Sequence, residues 1–386
     1  MIDIPLIIMV LAGAILFSPF IAQSLRMPLA VVEILLGCAI GYWGILEGNT
    51  YMPIIAKTGF LFLMFLAGIE VNLKAFLTMP SSLFKKAVGY FVILYSLSAL
   101  IVWAFDYSYI YLVAFPIVSL GMIMALVKEF GKEEAWLKLA LIIGILGELI
   151  SIAALTLLSG VLEYGFTLNF VIVITVLIFF LFATVLLFKA AKILFWWYPN
   201  LKQMIMPSSD NRDKDVRLSM ALFFGMIGLM IYLGLDMVLG AFIAGMFVAT
   251  FFEHKVDLPH KLSSLGFGFL VPVYFIYVGS TVNIDALISP DILFLSLQIV
   301  GIMLILRIIS SMLYIKELGF KNTLMFAMGD SMPLTFLLAV ATIGISAHAI
   351  SEQEYFALVI AGMIASVVMM SIIQLVTHYT VEVKKW

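Results

Sequence analysis

A carboxylate in the middle of a greasy segment is the first residue in this sequence able to do chemistry. The stretch from Leu137 to Val161, LKLALIIGILGELISIAALTLLSGV, is apolar and long enough to cross a bilayer as a helix, for which about 20 residues suffice. Glu148 sits near its centre. A charge at that depth costs roughly 2.5–3.5 kcal/mol on insertion scales, so such residues are kept for a use. Gly144, Gly147, Glu148 and Ser151 fall at i, i+3, i+4 and i+7, which puts them on one small, polar helical face. A carboxylate held away from water accepts a proton or a metal cation but not both, because the two compete for the same oxygens. That competition is exchange chemistry in its simplest form. The bland alternative is a structural acid paired permanently with a cation.

Three further sets of residues bear on such a site. Arg307 lies mid-segment in IVGIMLILRIISSMLY, and with Ser310, Ser311 and Tyr314 it forms a polar stripe at helical spacing. Arginine stays protonated, so it carries no proton. Its roles are to pair with Glu148, to neutralise a place where broken helices cross, or to act as structural glue. Pro116, Ser119 and Gly121 punctuate one apolar segment, and Gly329-Asp330-Ser331-Met332-Pro333 punctuates another. Proline removes a backbone donor and glycine weakens a helix, so both segments are expected to unwind and turn backbone groups towards an ion. Ser119, Ser151 and Asp330 are candidate ligands beside Glu148; Asp330 serves equally well as the cap of a half-helix. Glu33 either lines a wet approach to the site or snorkels, and Lys57 snorkels.

The elements that must position these residues are transmembrane helices. The chain has 386 residues, 64% of them hydrophobic and 11% charged. With a mean hydropathy of +1.19 this is an all-α polytopic membrane protein rather than a soluble domain. Apolar segments fall at about 4–24, 28–46, 53–73, 86–105, 108–128, 138–161, 167–191, 216–234, 236–252, 263–282, 290–314, 322–345 and 354–378, some thirteen spans. Of 21 basic residues all but Lys57 and Arg307 flank alternate loops, while the other loops carry only acids. The positive-inside rule then puts the N-terminus outside and the C-terminus in the cytoplasm, in the cell inner membrane. The first segment lacks a basic leader region and reads as an uncleaved span. Cys38 is the single cysteine, so no intrachain disulfide forms. No metal-ligand spacing, nucleotide fingerprint or catalytic Ser–His or paired-Asp arrangement stands out, so neither a cofactor nor an enzyme activity is expected. Nucleic acid is not an expected partner; membrane lipids are.

The spans read as a single transporter domain built twice. Gly68-Ile-Glu-Val-Asn72-Leu-Lys-Ala75 at the end of the third span echoes Gly279-Ser-Thr-Val-Asn283-Ile-Asp-Ala286 at the end of the tenth. Leu36-Gly37 with Ile40 in the second span resembles Leu239-Gly240 with Ile243 in the ninth. Seven spans separate the copies, so they enter the membrane in opposite directions, as the inverted repeats of many secondary transporters do. The expected halves are about 4–161 and 216–378, joined by a linking span at 167–191 and a cytoplasmic loop at 192–215. The Pro116–Gly121 and Gly329–Pro333 clusters fall at equivalent places in the two halves.

LFLMFLAGIEVNL (61–73), LGLDMVLGAFIAGMFVA (233–249) and FLVPVYFIYVGSTVNIDAL (269–287) resemble signature stretches of the bacterial monovalent cation/proton antiporters, in the branch of sodium/proton exchangers and potassium-efflux antiporters. PLAVVEILLGCAIG (28–41) and SLGMIMALVKEFG (119–131) are similar to that branch's second and fifth spans. The resemblance covers nearly the whole chain. It implies a thirteen-span sodium/proton antiporter fold with discontinuous crossing helices, usually a homodimer, with a scaffold and a mobile core. The family's sixth span carries a two-residue acidic motif; Gly147-Glu148 keeps the essential carboxylate as glutamate and lacks its companion. The family's basic residue of the eleventh span corresponds to Arg307, and of its threonine-rich fifth-span centre only Ser119 offers a side-chain ligand. The expectation is an antiporter of a monovalent cation, Na⁺ before K⁺, against H⁺, electroneutral with a single titrating acid. A potassium-efflux antiporter is the alternative. Such relatives often carry a C-terminal nucleotide-binding domain, whereas about eight residues follow the last span here. A channel is a third reading, from another class.

Overall fold

The computed structural model describes residues 4–25, 27–46, 51–70, 81–119, 122–123, 126–127, 130, 134–165, 167, 171, 175, 186, 190, 193, 197, 213–233, 237–252, 255, 257–282 and 289–383. Among them the regular structure is helical throughout. In chain order the helices are α1 (Ile4–Leu25), α2 (Leu29–Tyr42), α3 (Met52–Glu70), α4 (Ser81–Ala104), α5 (Ile110–Ala114), α6 (Ala135–Tyr164) and α7 (Lys214–Tyr232). There follow α8 (Met237–Phe251), α9 (Asp257–Leu265), a π-helical turn (Gly266–Leu270), α10 (Val271–Thr281), α11 (Pro290–Ser311), α12 (Ile315–Asp330), α13 (Leu334–Ser346) and α14 (Glu352–Val383). Most expected spans coincide with one of these. The fifth and twelfth are interrupted, and the linking span at 167–191 and the loop after it lie almost wholly outside the described residues.

The helices sort their faces by period. On α4 the buried side chains are Ala87, Tyr90, Phe91, Leu94, Ser98 and Val102, one stripe at helical spacing. Val92, Leu100 and Trp103 on its other side are exposed and apolar, as a lipid-facing surface requires. On α11 the buried stripe runs from Ile292 through Ser296, Ile299, Met303, Arg307 and Ser310, while Phe294, Leu297, Ile305 and Ile309 face outward. The arginine therefore sits on the one side of its helix where protein, not lipid, can receive it.

The chain forms two compact units. The first comprises Met1–Asn49, Ala75–Leu158 and Phe275–Trp386; the second comprises Thr50–Lys74 and Ser159–Tyr274. Each draws on both halves of the sequence. In the first unit α2 and α10 cross at glycines: a Cβ on Gly37 would overlap the Ile276 carbonyl and press on Gly279, and one on Gly279 would overlap the Ile34 carbonyl. In the second unit α3 and α8 cross in the same manner, Gly68 against the Phe242 carbonyl and Gly245 against the Phe65 carbonyl. Small residues at such crossings let backbones approach closely and gain dispersion contact, the main attraction left between helices in lipid. Beside that crossing Phe62, Phe65 and Phe223 pack at ring separations of 5.2–5.4 Å.

Candidate ion site at two interrupted helices

Every described candidate residue for ion binding lies in the first unit. The fifth span breaks because Pro116 has no amide to offer the Leu112 carbonyl. Ser98 on α4 replaces it, donating its hydroxyl to that carbonyl at 3.2 Å. Beyond the proline the backbone leaves the helical ladder. The Val118 N–H donates to Ser151 Oγ at 2.9 Å, while the Phe115 and Ile117 carbonyls turn to a side chain from another helix. Gly121 lies outside the described residues.

The twelfth span breaks between α12 and α13, where Pro333 is likewise unable to donate to the Gly329 carbonyl. The Ser331 N–H shifts to the Met328 carbonyl at 3.1 Å, and the Ser331 hydroxyl turns back onto the Ala327 carbonyl at 2.6 Å. Asp330 is the last residue of α12, and α13 begins after Pro333 without a side-chain cap. The capping role allowed for Asp330 is thus not the one it plays. Gly329 lies beneath Trp136, where a Cβ would come within 3.2 Å of the ring.

Arg307 ties the two breaks together. Its Nη1 donates to the Phe115 carbonyl at 2.8 Å and to the Met303 carbonyl at 3.1 Å, and Nη2 donates to the Ile117 carbonyl. Nε donates to the Asp330 carbonyl at 2.9 Å and lies 3.7 Å from Asp330 Oδ2. The guanidinium, fully buried, thus serves the carboxyl-terminal ends of both first half-helices, where unpaired carbonyls concentrate negative potential. Burying it costs several kcal/mol. Its hydrogen bonds, each of a charged kind worth about 1.5–3 kcal/mol, offset that cost. Neutralising the crossing is a role the geometry shows for Arg307, and a carboxylate it faces there is Asp330.

Tyr90 on α4 donates its hydroxyl to Asp330 Oδ2, leaving Oδ1 buried with no hydrogen-bond partner. Glu148 is 1% exposed on the face of α6 that meets the fifth-span break. One turn further on, Ser151 holds the Val118 amide, so its first task is to brace that break. The missing companion at position 147 has a physical reason. A Cβ on Gly147 would lie 2.8 Å from Val118 Cβ and 3.0 Å from Phe91 Cζ, so no second acid fits there. Ser119 Oγ meets Thr335 Oγ1 at 2.9 Å, joining the two interrupted spans directly.

Three contributors were not foreseen from the sequence: Ser98, Tyr90 and Thr335. Thr335 carried a usable signal, a hydroxyl in the first turn after a helix-breaking proline; Ser98 and Tyr90 carried none, being ordinary residues on another helix. Glu33 is 2% exposed, and Ser18 on α1 donates to it at 3.4 Å. It therefore neither snorkels nor opens to water, whereas Lys57 is exposed.

Similar proteins fit this arrangement. The family model described as "Sodium/hydrogen exchanger, transmembrane" matches residues 8–378. The putative Na(+)/H(+) antiporter YjbQ of Bacillus subtilis is 26% identical over 370 residues, covering 89% of this chain; this chain spans 58% of that relative's length. The probable Na(+)/H(+) antiporter 3 of Methanocaldococcus jannaschii is 27% identical over 334 residues, 82% of each chain. In fold, the chain is similar to the sodium proton antiporter MjNhaP1 of Methanocaldococcus jannaschii at pH 8. The TM-score is 0.63 at 17% identity, over 95% of this chain and 96% of that one. A family match spanning almost the whole sequence, over a fold built of apolar helices of membrane-crossing length, places this chain in the sodium/hydrogen exchanger family of multi-pass membrane proteins.

Proposed function

We propose that this protein is a secondary antiporter that exchanges one Na⁺ for one H⁺, with Glu148 the carboxylate the two share. The observation that carries the reading is the crossing of two interrupted spans around Arg307. Arg307 and Asp330 lie against one another there, and Glu148 is the further buried carboxylate, on the helix face that adjoins the fifth-span break. The space that a second acid would need beside Glu148 is filled by Val118 and Phe91. One acid binding either one proton or one monovalent cation moves no net charge per cycle. The relatives named above are Na⁺/H⁺ antiporters by name, which supports Na⁺ over the potassium-efflux alternative.

Exchange by alternating access requires the crossing to face each side in turn. The inverted repeat supplies the symmetry, and the two glycine crossings support it. The second span meets the tenth and the third meets the ninth, which are the same pair of contacts once spans two and three are exchanged with nine and ten. In this reading the protein works as a homodimer in the plasma membrane, N-terminus outside and C-terminus in the cytoplasm, and serves pH and sodium homeostasis.

The test uses purified protein in proteoliposomes that hold a pH-sensitive dye. Added Na⁺ should drive proton movement in the wild type and none in Glu148→Gln, at a rate that clamping the membrane potential leaves unchanged. Normal exchange by Glu148→Gln would discard the site, and a strong dependence on potential would discard the one-for-one stoichiometry, since each net charge is worth about 2.3 kcal/mol per 100 mV.

A further inference from the structure

The hydroxyl pair that joins the two interrupted spans is not required by the helix breaks. Each break already has its own repair: Ser98 and Ser151 for the fifth span, Ser331 for the twelfth. Among the described residues Ser119 and Thr335 meet each other rather than a carbonyl of either ladder, bringing two oxygens from opposite halves of the sequence to 2.9 Å at the crossing. Ser119 follows directly on Val118, the residue braced by Ser151 and packed on Gly147, which share a helix face with Glu148. Ser119 is buried at 4% exposure, whereas Thr335 in the first turn of α13 is half-buried.

We propose that Thr335, with Ser119, forms the cation-discriminating part of the exchange site and is a specificity-determining ligand. This rests on the antiport reading above and names what that reading leaves open, the choice among monovalent cations. Hydroxyl oxygens are hard, neutral ligands, suited to a small hard cation without adding charge that would alter the one-for-one exchange. Their spacing carries the selectivity. Neighbouring ligands in octahedral coordination stand about 1.4 times the cation–oxygen distance apart, so oxygens 2.9 Å from one another suit a cation that takes oxygen at roughly 2.1 Å. Li⁺ is of that size, Na⁺ asks for a slight widening of the pair, and K⁺ is larger still and would force the two spans apart. Because each hydroxyl comes from a different interrupted span, the same pair senses whether both half-helices are in place around the ion.

The experiment measures the apparent KM for Li⁺, Na⁺ and K⁺ in proteoliposomes of wild type, Thr335→Val, Thr335→Ser and Glu148→Gln. Thr335→Val keeps the shape and deletes the oxygen. It should raise the KM for Na⁺ and Li⁺ about tenfold, the size of one lost polar contact to a charged partner, with much less change for K⁺. The loss should fall on KM rather than on the maximal rate, and Thr335→Ser should restore most of the preference. An unchanged ratio among the three cations, or an equal loss of maximal rate for all of them, overturns the proposal and leaves the pair a structural tether. Should Thr335→Val not fold, Thr335→Ala in detergent gives the same decision through the Na⁺ concentration needed to raise its melting temperature. A tenfold higher requirement than wild type supports the assignment, and an equal one overturns it. Failure of the Glu148 assignment is separate, because it shows in Glu148→Gln exchanging normally whatever Thr335 does.

Discussion

The two interrupted spans solve one problem with different parts. Pro116 frees the Leu112 carbonyl, and a hydroxyl from another helix, Ser98, comes to meet it; in the twelfth span Ser331 folds its own hydroxyl back on the Ala327 carbonyl. The fifth span brings only neutral groups to the crossing, the Phe115 and Ile117 carbonyls and Ser119, whereas the twelfth brings a carboxylate, Asp330, as well as a carbonyl. Arg307 serves both. The positive charge is therefore shared property of the two breaks, while its balance is supplied from one side. A site of this kind holds its backbone open with the guanidinium and a carboxylate side by side, and α6 brings a second buried carboxylate, Glu148, to the fifth-span break.

Substitutions can break that comparison in graded steps. Arg307→Ala should hurt most, because both breaks lose their donor and Asp330 its buried counter-ion. The expected cost is about 3–5 kcal/mol, seen as little folded protein or a large fall in melting temperature in detergent. Arg307→Lys keeps the charge but not the fork, and should fall between. Asp330→Asn keeps the carbonyl contact and removes only the balance. It should cost about 3 kcal/mol and, if the exchange site is the one proposed, also weaken Na⁺ binding, since the guanidinium is left uncompensated at the crossing. If Asp330→Asn binds Na⁺ as tightly as the wild type, the balance is struck elsewhere.

Ser98→Ala and Ser331→Ala separate the two repairs. The first strands the Leu112 carbonyl and should cost about 1–3 kcal/mol. The second should cost less, about 0.5–1.5 kcal/mol, because the Ala327 carbonyl lies in a helix whose last turn can tighten. Equal losses would blur the distinction drawn here. The smallest effect belongs to Lys86, whose exposed pair with Glu317 at the start of α12 is worth about 0.2–1 kcal/mol. Lys86→Ala should melt almost with the wild type.

Much of this was legible in the sequence, for a physical reason. Lipid allows almost no irregular backbone, so apolar length marks helices, and a proline or an acid inside one marks a place where protein or water must compensate. Glu148, Arg307 and the two proline clusters announce themselves in this way. What stayed hidden depends on which helix faces which. Ser98 and Tyr90 are unexceptional on α4 until the Leu112 carbonyl and Asp330 are placed against them. The glycine at 147 looked like a lost ligand and is explained only by Val118 and Phe91 filling its space. Asp330 showed the same limit: its type suggested a cap or a ligand, and only its position at the end of α12 puts the Arg307 guanidinium 3.7 Å from it.

The central claim is that one buried acid takes a proton or a cation, never both. The apparent KM for Na⁺, measured across pH in proteoliposomes, tests it most directly. A single shared site predicts that, on the acid side, KM rises about tenfold for each unit the pH falls while the maximal rate at saturating Na⁺ holds. A KM independent of pH would show that proton and cation do not compete, and a rise near a hundredfold per unit would show two protons where this account allows one.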